Sequence, residues 1–77
     1  MRYGATTRLS PERALEKAKE YFGRLELAIE EQSSAHVHFK GANGFVQIKV
    51  ETVNGTELDI ETKGFDLQVK EFLQRIG

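Results

Sequence analysis

The chain has 77 residues, no cysteine, and eleven Lys or Arg against twelve Asp or Glu, for a net charge of −1 at pH 7. That length supports one domain with a small core, worth roughly 3–5 kcal/mol, and the lack of cysteine excludes a disulfide scaffold, a thiolate nucleophile and a cysteine metal site. The charge is balanced and unclustered, which signals no nucleic-acid arm or acidic tail; no run approaches the roughly 20 apolar residues of a membrane span, and residues 1–7 hold no secretion leader, so a cytoplasmic protein away from membranes is expected.

The first element is faint. Residues 2–8 are rich in Thr and lack charge alternation, which suits a strand. A helix with a marked start follows: Ser10 can cap, Pro11 takes the first helical position and Glu12 puts negative charge in the first turn. Ala14, Leu15, Ala18, Tyr21 and Phe22 fall on one stripe, Glu12, Arg13, Glu16, Lys17 and Glu20 face outward, and Gly23 marks the end. About thirteen residues at 1.5 Å each make a rod of roughly 20 Å, the length of a six-residue strand.

Four runs with alternating apolar and polar residues come next, at residues 25–30, 35–40, 45–51 and 57–62. Ser-containing residues 32–34 can close the first pair. The other two connections, Gly41-Ala42-Asn43-Gly44 and Val53-Asn54-Gly55-Thr56, each contain Asn-Gly, the dipeptide that most readily adopts the positive φ of a tight hairpin. A closing helix over about residues 65–76 repeats Phe65, Val69, Phe72, Leu73 and Ile76 on one stripe.

Consecutive hairpins make an antiparallel meander. Its apolar face holds Leu25, Leu27, Ile29, Val37, Phe39, Val46, Ile48, Val50, Leu58 and Ile60, and the two amphipathic helices are the material that can cover it. The expected fold is therefore a single two-layer α+β domain over residues 1–77: a four- to five-stranded antiparallel sheet with two helices on one face, in the order β-α-β-β-β-β-α. This order of elements resembles the half-repeat of the TATA-box-binding protein and, more loosely, the helix-grip fold of the START and Bet v 1 ligand-binding proteins. It is also similar to small bacterial proteins of about this length that carry no assigned activity. The resemblance covers the order of elements and includes no diagnostic motif, so it implies a fold and transfers no functional residue.

The open face of the sheet is expected to carry Glu26, Ala28, Glu30, His36, His38, Lys40, Phe45, Gln47, Lys49, Glu51, Glu57, Asp59 and Glu61, six carboxylates against two lysines. A face of that sign repels phosphate, so minor-groove binding of the TATA-binding kind is not expected. Its charges are instead expected to pair across strands, setting register. His36 and His38 share one strand face and are the best metal-ligand candidates, but the spacing supplies no third ligand, and no metal or other cofactor is expected. Ser10, Ser33 and Ser34 lie in no nucleophile motif, and the residues around Gly41 lack the helix of a phosphate loop. The chain is expected to be no enzyme.

Two functions then fit. The first is an interaction module, self-associating or binding a protein partner through the open face or an edge strand, with Phe45, Ala28 and Val53 as the apolar contacts. The second is an apolar-ligand site between sheet and helices lined by Tyr3, Tyr21, Phe39 and Phe65.

Overall fold

A computed structural model describes residues 1–76. Strand β1 (Arg2–Thr7) leads into helix α1 (Pro11–Gly23). The strands β2 (Ala28–Ser33), β3 (His36–Gly41), β4 (Gly44–Thr52) and β5 (Thr56–Lys63) follow, and helix α2 (Asp66–Ile76) closes the chain. All five strands form one antiparallel sheet in the order β1-β5-β4-β3-β2. The fold is the expected α+β one, in the expected element order, and residues 2–7 supply its fifth strand.

The local reasons are those of the sequence. The Ser10 hydroxyl accepts the Arg13 backbone N–H at 3.3 Å, capping α1 ahead of Pro11. Ala14, Leu15, Ala18 and Phe22 form the buried stripe of α1, and Val69 and Phe72 that of α2. Helix α1 lies over β3 and β4 and α2 lies over β5, on one face of the sheet. Between the layers the Phe22 ring meets those of Phe39 and Phe72 at 5.5 and 5.2 Å, against fully buried Val37, Val46, Ile48 and Ile60. Tilted aromatic contacts of this kind add to burial.

Strand β2 departs from expectation. The alternation of Leu25, Leu27 and Ile29 suggests one strand face, but Glu26 has φ of 59°, which breaks extended backbone. Leu25 and Leu27 therefore belong to the connection after α1. Leu27 is buried there and Leu25 packs on the core, whereas Ile29, the one member of the trio inside the strand, is 43% exposed. A register shift between Ile29 and Glu31 adds a bulge.

The two Asn-Gly connections work differently. Asn54 and Gly55 both have positive φ, as expected. At Ala42-Asn43 neither Asn43 nor Gly44 does, so glycine is needed at position 44 for another reason: a Cβ there would overlap the Lys63 carbonyl, and one on Gly41 would meet Leu27. Close approach of the neighbouring backbone, not turn conformation, requires glycine at 44, whereas at Gly41 the contact is the end of the Leu27 side chain.

Candidate interaction surface

Register fixes who shares the open face. Reading across the strands, one row holds Ser33, His36, Lys49, Asp59 and Gly4; the next holds Glu31, His38, Gln47, Glu61 and Arg2; a third holds Ala28, Lys40, Phe45 and Lys63. Glu30 joins this face at the bulge through an ion pair with Lys40 at 3.8 Å. Four cations (Arg2, Lys40, Lys49, Lys63) thus stand among six carboxylates (Glu30, Glu31, Glu51, Glu57, Asp59, Glu61), and the face is less acidic than expected. Glu26 is absent from it because its turn conformation takes it out of the sheet. Arg2 joins the face through a pairing distant in sequence, whereas Lys63 continues the alternation of Glu57, Asp59 and Glu61 one residue past the run at 57–62.

Cross-strand complementarity is partial. Lys49 stands opposite Asp59, and Arg2 clasps Asp59 with Nε at 3.1 Å and Nη2 at 2.7 Å. That two-pronged contact holds the Asp59 carboxyl below the usual carboxylate range and raises the guanidinium. Glu51 and Glu57, in contrast, stand directly opposite each other, a like-charge pair that costs stability.

The three apolar positions singled out from sequence do not form one patch. Phe45 is half-buried and stacks on the His38 ring at 5.6 Å and 16°; Ala28 lies in its row beyond Lys40. Val53 is 53% exposed but sits past the far end of β4, about 26 Å along the strand at 3.3 Å per residue. His36 and His38 stand next to Lys49 and Gln47, and among the described residues no group of three or more His, Asp or Glu side chains converges as a metal cage would require.

Of the residues expected to line a ligand cavity, Phe39 is fully buried and Tyr3, Tyr21 and Phe65 pack against the core. Each tyrosine hydroxyl donates to a carboxylate, Tyr3 to Asp66 at 2.8 Å and Tyr21 to Glu71 at 3.1 Å. These bonds stabilise the neutral phenols and push both pKa values up, chiefly through the hydrogen bond at Tyr3 and through desolvation at Tyr21.

The free edge of β1 is the surface that reading by side chains passes over. Met1 and Thr62 exchange both backbone hydrogen bonds, at 2.9 and 2.8 Å. Antiparallel alternation then turns Tyr3, Ala5 and Thr7 toward β5 and leaves the N–H and C=O groups of Arg2, Gly4 and Thr6 facing away from the sheet. Its six residues pair with β5 in unbroken register, with no bulge and no proline. The strand is held in place from inside: the Thr7 hydroxyl donates to the Ile76 carbonyl at 2.7 Å, and Tyr3 is tied to Asp66 at the start of α2. Gly4 is the sequence signal of this edge. Its φ is not positive, the register is continuous around it, and a Cβ there would meet nothing within 4 Å, so nothing inside the chain requires glycine. Compared with known proteins, the chain matches no family model and no curated protein.

Proposed function

We propose that this chain is a non-catalytic interaction module that receives an extended polypeptide strand along the β1 edge. The observation that carries this reading is the regular, uncharged middle of β1, with the backbone groups of Arg2, Gly4 and Thr6 directed outward and unpaired among the described residues. Strand addition draws its affinity from main-chain hydrogen bonds, and it needs an edge of this kind. Glycine in a strand interior commonly marks a place where another backbone approaches.

The second reading, an apolar ligand between sheet and helices, is less well supported, because Phe22, Phe39 and Phe72 fill that space. Kinship with the TATA-binding half-repeat rests on element order. Six carboxylates among four cations on the open face argue against the phosphate contacts that a minor-groove binder uses.

The test is residue-resolved amide exchange of the chain with peptides selected against it from a random library. Selected peptides should slow exchange at Arg2, Gly4 and Thr6 and leave Tyr3, Ala5 and Thr7 unchanged. Binders that protect only helix or open-face sites would refute the edge reading.

A further inference from the structure

We infer that the strand received by β1 is the β1 of a second copy, paired antiparallel about a two-fold axis at Gly4, so that two five-stranded sheets join into one. The inference rests on the edge reading above and names its occupant.

Only residues whose backbone groups point outward can exchange hydrogen bonds across the new junction, and three symmetric registers pair at least two of them on each chain. Pairing Arg2 with the partner's Gly4 uses two of the three outward residues and sets Tyr3 against the partner's Tyr3. Pairing Gly4 with the partner's Thr6 also uses two, and sets Ala5 against the partner's Ala5, leaving a gap on the helix side. Pairing Gly4 with the partner's Gly4 uses all three on each chain, for about six N–H···O bonds. It also places Tyr3 beside the partner's Ala5, a large side chain against a small one, on the face where both point toward the helix layer.

Charge selects the same arrangement. In this register Arg2 stands beside the partner's Thr6, and the next residue along that row is the partner's Glu57, opposed to the partner's Glu51. The separation is two strand spacings, about 10 Å between Cα atoms, which long side chains span. Asp59 occupies Nε and Nη2 of Arg2 and leaves Nη1 free for a second carboxylate. The antiparallel pair thus brings the cationic start of each β1 to the one row of the partner where two carboxylates oppose each other without a cation between them. Self-pairing also accounts for Gly4: any charged side chain there would meet its own copy across the axis, at the roughly 5.5 Å of a hydrogen-bonded pair.

Sedimentation equilibrium on the wild type, Gly4→Lys, Gly4→Glu and an equimolar mixture of the two variants tests this. Both substitutions project into open space on the monomer, so both should fold, which circular dichroism and thermal melting check; Gly4→Ala is a neutral control. The wild type and Gly4→Ala should dimerise with rising concentration, each charged variant should be monomeric alone, and the mixture should recover a heterodimer. Dimers that survive both charged variants, or a mixture that stays monomeric while the wild type pairs, overturn the inference. A wild type that stays monomeric up to millimolar concentration, while library peptides still protect the Arg2, Gly4 and Thr6 amides, overturns self-pairing and leaves the edge reading intact. Fast exchange at those amides with every peptide overturns both.

Discussion

Strand β2 at one edge of the sheet carries a bulge, adjacent Glu30 and Glu31 and an ion pair to Lys40, and all six of its residues are exposed. Strand β1 at the other edge has unbroken register, the uncharged run Tyr3 to Thr7, and α2 bonded to it at both ends. Bulges and charges are the usual means of keeping an edge strand from pairing with another chain. One edge of this small sheet has both, whereas the other has no bulge and carries its one charge, Arg2, at its first residue. The difference teaches that exposure alone says little about association: β2 is the more exposed strand and the worse template, because its backbone is irregular and its charges repel.

If the regularity of β1 depends on α2 above it, loosening α2 should disturb β1 before β2. Phe72→Ala empties a site buried between Tyr21 and Phe22 and should cost about 3–5 kcal/mol in urea unfolding, with protection at Tyr3 and Ala5 lost early in hydrogen exchange. Early loss at β2 instead would break the comparison. The glycines sharpen it next. Gly44→Ala forces a Cβ into the Lys63 carbonyl and should cost about 2 kcal/mol or more, whereas Gly4→Ala should be neutral or stabilise by up to about 1 kcal/mol, both read from denaturation midpoints.

Thr7→Val removes the donor to the Ile76 carbonyl and the acceptor for the Leu9 N–H, at a cost of about 1 kcal/mol, while equivalent hydroxyl losses on β2, such as Ser33→Ala, should cost less. The tyrosines predict a pH dependence. Their folded pKa values are raised, so their contribution is intact below about pH 10 and is lost as pH rises through the folded values. Urea midpoints should be flat from pH 7 to 9 and fall by pH 11, with a shallower fall in Tyr3→Phe. Asp59 runs the other way: its folded pKa is lowered, so its small, solvent-screened contribution is present above about pH 4 and lost on acidification, and Arg2→Ala should remove that acid sensitivity. The smallest effect on stability is expected at the guarded edge. Glu31→Val should change the unfolding midpoint little, within about 0.5 kcal/mol, yet should promote association at high salt, visible as light scattering.

Much of the fold was legible in short stretches. Ser10, Pro11 and Gly23 bound α1 within a single turn of each end, and the stripe of α2 and the alternation in β3, β4 and β5 each declare one apolar face. Asn54-Gly55 marks its hairpin because both residues must take positive φ. Residues 25–29 misled because an αL residue at Glu26 leaves the apolar spacing of a strand intact while breaking the strand. The composition of the open face was partly missed for a different reason: Arg2 enters it by pairing with Glu61, fifty-nine residues away, and no local pattern announces that pairing.

Periodicity, capping and turn chemistry are interactions among residues a few positions apart, so the sequence by itself determined the helices, most strands and the two-layer arrangement that buries their apolar faces. Which strand lies at an edge is a property of long-range pairing. Only the tertiary structure decided that β1 docks on β5, that its odd-numbered residues spend their hydrogen bonds there, and that Arg2, Gly4 and Thr6 are left facing outward, because hydrogen-bond direction along a strand is set by its neighbour and not by its own side chains.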